Sequence, residues 1–135
     1  MLVVRSVDPA ESIPLFWDIP PWSRITRSQW GAFCKRRALV AFAAEQDGEL
    51  AGFAVAESRP GVVHILNLEG GTDASRRLLG RLVMVAGERD MSGWGPAARA
   101  DVREMLEDRG FGREGQADFQ GRPSHLYRWR RNEDL

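Results

Sequence analysis

Hydrophobic and polar positions along the chain follow two different periods, and each change of period marks an element. Leu2 to Val7 is rich in β-branched residues and bounded by Asp8-Pro9, which predicts a first strand. Asp8 suits an N-cap, with Pro9 at the first helical position and Glu11 three residues after the cap. Ile13, Phe16 and Trp17 give the short helix that follows an apolar stripe, and Pro20-Pro21 must end it. A second helix is expected to start at Thr26 or Ser28, with Gln29 completing a capping box to Thr26. Trp30, Phe33 and Cys34 share one face of it, and Lys35-Arg36-Arg37 closes it in the sense that favours the helix dipole.

The middle of the chain changes to strand-like runs. Ala38 to Glu45 and Leu50 to Glu57 flank Gln46-Asp47-Gly48-Glu49, and Asp-Gly between two apolar runs is a strong hairpin signal. Val62 to Leu68 follows Arg59-Pro60-Gly61 as the next antiparallel strand and ends in Glu69-Gly70-Gly71-Thr72-Asp73. From Ala74 the period is helical again, with Leu78, Leu79, Leu82, Val83 and Ala86 on one stripe. Met91 to Gly95 reads as a brief strand, and Pro96 as the opening of a last helix with Val102, Met105 and Leu106 inward and Gly110 as its C-terminal cap. Gly112 to Phe119 and Ser124 to Arg130 are two closing strands, and Arg131 to Leu135 is a polar tail. The expected order is β-α-α-β-β-β-α-β-α-β-β. It describes an α+β (mixed α/β) fold, a mixed and mostly antiparallel twisted sheet with helices on both faces.

With 135 residues the whole chain, 1–135, is expected to form a single domain. Its 19 basic and 19 acidic side chains cancel, which argues against a nucleic-acid binder working by bulk charge. A local contact through Lys35-Arg36-Arg37 and Arg128, Arg130 and Arg131 is the remaining route to nucleic acid, although such runs are usually solvated surface. One cysteine, Cys34, excludes an internal disulfide, and two histidines, His64 and His125, make a metal centre improbable. No apolar run is long enough for a membrane span, and the N-terminus lacks the pattern of a signal peptide, so a cytoplasmic protein is expected.

Two segments carry a resemblance. Glu45-Gln46-Asp47-Gly48-Glu49-Leu50-Ala51-Gly52-Phe53 resembles the central hairpin of the GNAT family of acyl-CoA-dependent N-acyltransferases, where an Asp-Gly turn leads into a Gly-Phe strand. Leu106-Glu107-Asp108-Arg109-Gly110-Phe111 resembles the family's helix end, where a Gly-Phe step turns the chain into the next strand. The likeness covers roughly residues 38–129, and it implies the GNAT fold with acetyl-CoA or another acyl-CoA as co-substrate. In that family the acyl-CoA lies against a splayed strand pair, and its pyrophosphate sits on the N-terminus of the following helix, where backbone N–H groups and the helix dipole attract an anion.

By that likeness the backbone of Leu66, Asn67 and Leu68 would hold the pantetheine arm, and Gly70, Gly71, Thr72, Asp73, Ala74, Ser75 and Arg76 would lie on the phosphate loop. The loop departs from the family pattern, because Asp73 and Ser75 stand where glycines are usual. Thr72 or Asp73 would then cap the helix, while Arg76 and Arg77 oppose its dipole and call for a partner, either Asp73 or a bound phosphate. The family also uses a carboxylate or histidine as general base and a tyrosine on the last helix as general acid. Leu106 stands where that tyrosine would fall. The catalytic candidates are His64 and Glu69 as bases and the chain's single tyrosine, Tyr127, with Ser92 able to position a thiol or amine. Trp22, on the rigid Pro20-Pro21-Trp22 segment, is a candidate contact for the acceptor or a partner.

Two functions follow from the resemblance. One is transfer of an acyl group, normally acetyl, from acyl-CoA to the primary amine of a small molecule or protein. The other is a GNAT-fold module without chemistry that binds or regulates a protein partner. An exposed last strand would also offer an edge for a homodimer.

Overall fold

The computed structural model describes residues 1–11, 26–96, 100–119 and 122–130. Ile13, Phe16, Trp17, the Pro20-Pro21-Trp22 segment and the tail from Arg131 to Leu135 lie outside them. The elements are β1 (Leu2–Val7), a 3-10 turn (Pro9–Glu11), α1 (Arg27–Arg36), β2 (Leu39–Gln46), β3 (Glu49–Arg59), β4 (Val62–Gly70), α2 (Thr72–Ala86), β5 (Asp90–Pro96), α3 (Ala100–Asp108), β6 (Gly112–Phe119) and β7 (Arg122–Trp129). The seven strands form one sheet in the order β1-β2-β3-β4-β5-β7-β6. Every neighbouring pair is antiparallel except β4 and β5, which run parallel.

The local chemistry explains most boundaries. Asp8 accepts a hydrogen bond from the Ala10 N–H at 2.9 Å, and the three-residue turn beginning at Pro9 is 3-10 in character. Thr26 and Gln29 form the reciprocal capping box, Gln29 N–H to Thr26 Oγ1 at 3.1 Å and Thr26 N–H to Gln29 Oε1 at 2.9 Å, so Thr26 rather than Ser28 caps α1. Asp47 and Gly48 both have positive φ, 53° and 84°, the backbone that lets a two-residue turn match the twist of the strands.

Two expected boundaries move. Pro96 does not open a helix; it is the last residue of β5, opposite Ser124 of β7, and α3 is described from Ala100. A proline without an N–H is well tolerated at a strand end. The middle helix starts at Thr72, not Ala74, so one residue, Gly71, joins β4 to α2.

Alternation along the strands divides the buried side chains between the two faces of the sheet. On one face Phe42, Ala54, Val63, Met91 and Tyr127 pack with Leu78, Leu79 and Leu82 of α2 and Met105 and Leu106 of α3. On the other, Ala41, Phe53 and Val55 pack under Trp30 of α1, with Phe33, Cys34 and Leu66 around them. Helices therefore cover both faces, as the sequence pattern implies. From α2, Arg77 and Arg81 reach the first strand and donate hydrogen bonds to the carbonyls of Leu2 at 2.5 Å and Val4 at 3.3 Å.

Candidate active site

The strand pairing itself makes an opening. β4 and β5 are in register from Val62 opposite Asp90 to Ile65 opposite Gly93, and the ladder stops there. β5 continues beside β7 as far as Pro96, while β4 continues beside β3 to Gly70. Beyond Ile65, the β4 edge that carries Leu66, Asn67 and Leu68 has no ladder partner in β5. At the apex the strands are close, since a Cβ on Gly93 would stand 3.1 Å from that of Ile65.

A bulge lies at the same place. Ala56 faces Ile65, the next residue Val55 faces Asn67, and Leu66 is the extra residue between them. A bulge reverses the alternation of everything beyond it. His64 shares the α1 face with its cross-strand partner Glu57, and Asn67 shares that face with Val55. Without the bulge Asn67 would point to the other side of the sheet.

The end of β4 is held against β3 by two glycines. Gly70 has φ of 132°, and a Cβ there would meet the Ala51 carbonyl oxygen at 2.7 Å. A Cβ on Gly52 would meet the Glu69 carbonyl oxygen at 2.8 Å. This close approach delivers the chain directly to the start of α2. The cap there is Gly71, with no side-chain cap hydrogen bond, so neither Thr72 nor Asp73 plays the expected role. The first helical bond runs from Ser75 N–H to the Gly71 carbonyl at 2.9 Å, and the buried Ser75 hydroxyl donates to the Gly70 carbonyl at 3.1 Å. The N–H groups of Thr72, Asp73 and Ala74 precede the first bond of the helix and form an anion-attracting end. Asp73 and Arg76 are both exposed there. Arg77, by contrast, is turned away to the Leu2 carbonyl, and among the described residues no ion pair joins Asp73 to either arginine.

On the α1 face, four polar side chains from four adjacent strands lie side by side: Glu57 opposite His64, His64 opposite Ser92, and Ser92 opposite Arg128. His64 is half-buried, and its Nδ1 is 2.7 Å from the Ser92 hydroxyl oxygen. Its Nε2 has no hydrogen-bond partner among the described residues. Burial holds the imidazole below its usual pKa, the Arg59 charge lowers it further, and the Glu57 carboxylate works in the opposite direction. Glu57 is only 4% exposed and receives hydrogen bonds from two arginines, Arg59 through Nε and Arg37 through Nη1 at 3.2 Å to each oxygen. The Arg59 hydrogen bond is the main cause holding its carboxyl below the usual range. Arg128 pairs with Asp90 at 3.0 Å.

Those pairings bear on the two basic runs. Arg37, Arg128 and Arg130 are engaged with Glu57, Asp90 and Glu114 respectively.

Asn67 is 6% exposed, and its Nδ2 is buried with no hydrogen-bond partner. An unsatisfied buried donor costs about 1–3 kcal/mol, so its place at the opening needs a reason. Glu69 also lies on the α1 face, opposite Phe53 near the end of β4. Tyr127 is not at the sheet edge as its sequence position suggests. It is 1% exposed on the opposite face from His64, within the core beneath α2 and α3, and burial is the first cause raising its pKa. The structure thus brings His64, Ser92, Asn67 and Glu69 to one face at the opening, and leaves Tyr127 behind the sheet. Among the described residues no group of His, Cys, Asp and Glu could hold a metal ion, and no helix is long and apolar enough to cross a membrane.

Sequence reasoning missed Glu57 and the side chain of Asn67. For Glu57 a signal existed: Glu57 and Arg59 at spacing two on one strand share a face, and a carboxylate closing an apolar run beside an arginine suits a buried pair. For Asn67 there was none, because the bulge is not written in the alternation.

A seven-stranded sheet with one parallel pair that parts beside a helix N-terminus is the architecture of the GNAT acetyltransferases, and this chain has that fold. Among solved structures it is similar to an N-acetyltransferase from Staphylococcus aureus, with a TM-score of 0.75 at 16% identity over 98% of this chain and 99% of that one. It is also similar to a probable acetyltransferase from Staphylococcus epidermidis, with a TM-score of 0.78 at 11% identity over 96% and 98%. A third is Arabidopsis thaliana NAA60 in complex with acetyl-CoA, with a TM-score of 0.71 at 16% identity over 96% and 98%. No family model matches the sequence, and no curated protein does.

Proposed function

We propose that this protein is an N-acyltransferase that moves an acyl group, normally acetyl, from acyl-CoA to a primary amine. The observation that carries the reading is the parting of β4 from β5 directly beside the uncapped start of α2. A pyrophosphate fits the N–H groups of Thr72, Asp73 and Ala74 with Arg76 beside them, and an extended pantetheine fits the free edge of Leu66 to Leu68. The fold shared with a structure solved with acetyl-CoA supports the same donor. The acceptor approaches from the α1 face, a small molecule or a protein amine.

Chemistry on that face falls to His64. A base for this reaction must be neutral at working pH, and burial together with the Arg59 charge favours the neutral imidazole. With Nδ1 held by Ser92, Nε2 is the nitrogen that meets the acceptor. It removes one proton from the ammonium, and the freed nitrogen lone pair attacks the thioester carbon. The tetrahedral intermediate collapses with loss of the carbon–sulfur bond, and the second N–H proton passes to the leaving CoA sulfur. His64 then releases its proton to solvent. Glu69 is the alternative base on the same strand, whereas Tyr127, in the core on the opposite face, has no part in this step.

The first test is calorimetric titration with acetyl-CoA and with free CoA. Micromolar binding of both, with matching thermal stabilisation, is the expected result. Silence at millimolar ligand would overturn the reading and favour the binding module without chemistry, for which the Asp73 carboxylate beside the proposed phosphate position is the favouring observation.

Arg59 supplies a prediction about pH. Replacing Arg59 by glutamine removes the positive charge that disfavours the imidazolium, so the acid limb of the kcat/KM profile is expected to move to higher pH. The variant should lose more of its rate at pH 6 than at pH 8, relative to the native protein. An unmoved limb would remove His64 from the titrating step.

A further inference from the structure

We infer that the Asn67 side-chain amide is a hydrogen-bond donor to the thioester carbonyl of the acyl donor, and so stabilises the oxyanion formed there. This rests on the acyltransferase reading and adds to it a residue whose side chain had no assigned role.

Three independent observations meet at this amide. It stands on β4 two residues past the last pair with β5, where the strand edge is open. The bulge at Leu66 turns it to the face that carries His64, and at most about 10 Å of strand separates the two. Two side chains at that spacing can bracket one reacting carbon, the base on the amine side and the donor on the oxygen side. Last, the amide is nearly fully buried beside its apolar cross-strand partner Val55, and its donor end is unpartnered. A leucine would fill the same volume there without leaving a donor unsatisfied. An apolar setting is also where a fixed donor acts most strongly on developing charge.

In the step, the carbonyl π electrons move to oxygen as the amine nitrogen bonds to carbon. The Asn67 N–H holds that oxygen without giving up its proton. When the carbonyl re-forms, the electron pair of the carbon–sulfur bond leaves with the CoA sulfur.

The experiment compares the native protein with Asn67→Leu. Leucine satisfies the cavity, so thermal stability is expected to hold or rise. If the amide serves catalysis, kcat should nonetheless fall about tenfold to a thousandfold with the KM for acetyl-CoA little changed. A structural amide bridged by water predicts the opposite pairing, unchanged kcat with altered stability, and that result would overturn the inference. A readout independent of turnover is the infrared carbonyl stretch of bound acetyl-CoA labelled with carbon-13 at the carbonyl. It should lie at lower frequency in the native protein than in Asn67→Leu. Equal frequencies in two proteins that both bind acetyl-CoA would sink the donor role alone. Absence of binding to the native protein would sink the acyltransferase reading, and this inference with it.

Discussion

Replacing His64 by glutamine is expected to lower turnover about a hundredfold to ten-thousandfold, the usual contribution of a positioned general base. The KM for acetyl-CoA should change little, because His64 lies on the α1 face and the proposed phosphate contacts lie at the start of α2. Glutamine keeps a polar group opposite Ser92 but cannot accept a proton at neutral pH. Steady-state rates against a panel of primary amines check this, and full activity in the variant would pass the base role to Glu69. A second signature concerns stability. Because the folded protein disfavours the charged imidazole, the unfolded chain binds more protons near the ordinary histidine pKa of about 6.5. Stability should therefore fall as pH drops through and below that value, and the His64→Gln variant should lose this part of the dependence.

The largest effect on stability is expected from Trp30→Ala. Trp30 is completely buried, stacks on Phe33 with centroids 5.6 Å apart, and donates from Nε1 to the Pro9 carbonyl at 2.9 Å. It is the main side chain of α1 in the small cluster on that face of the sheet, so truncation removes the anchor of the helix as well as its own burial. A loss of about 3–5 kcal/mol is expected, against a total of about 5–15 kcal/mol for a chain of this kind. Trp30→Phe keeps most of the apolar surface and loses the hydrogen bond, and should cost about 1 kcal/mol. Urea unfolding of the three proteins gives the ranking, and an alanine variant with the native midpoint would show that α1 is anchored by something else.

The sequence made the elements legible where the signal is local. The capping box at Thr26, the Asp47-Gly48 turn and the helical stripe from Leu78 to Ala86 depend on residues a few positions apart, and each appears where it was expected. The start of α2 was misread because Thr72 and Asp73 are good capping residues. The close packing of Gly70 against Ala51 and Gly52 instead brings the chain into the helix at Gly71, a contact across β3 that local preference does not contain. The burial of Tyr127 was hidden for a related reason. Alternation tells which residues of a strand share a face, but not that β7 lies inside the sheet between β5 and β6. The site was half legible: His64 and its partner Ser92 were both named, and the parallel register that joins them is tertiary.

The two arginines that α2 sends to the first strand have a consequence for association. β1 is an edge of the sheet, and a bare edge is a template for strand addition by other chains. Here the Leu2 and Val4 carbonyls already accept from Arg77 and Arg81, and Arg81 also lies over the Phe42 ring at 4.8 Å. An incoming strand would have to displace these guanidinium groups to use the Leu2 and Val4 carbonyls as ladder acceptors. Two side chains of the helix packed on the sheet thus act as plugs at acceptor positions of the β1 edge.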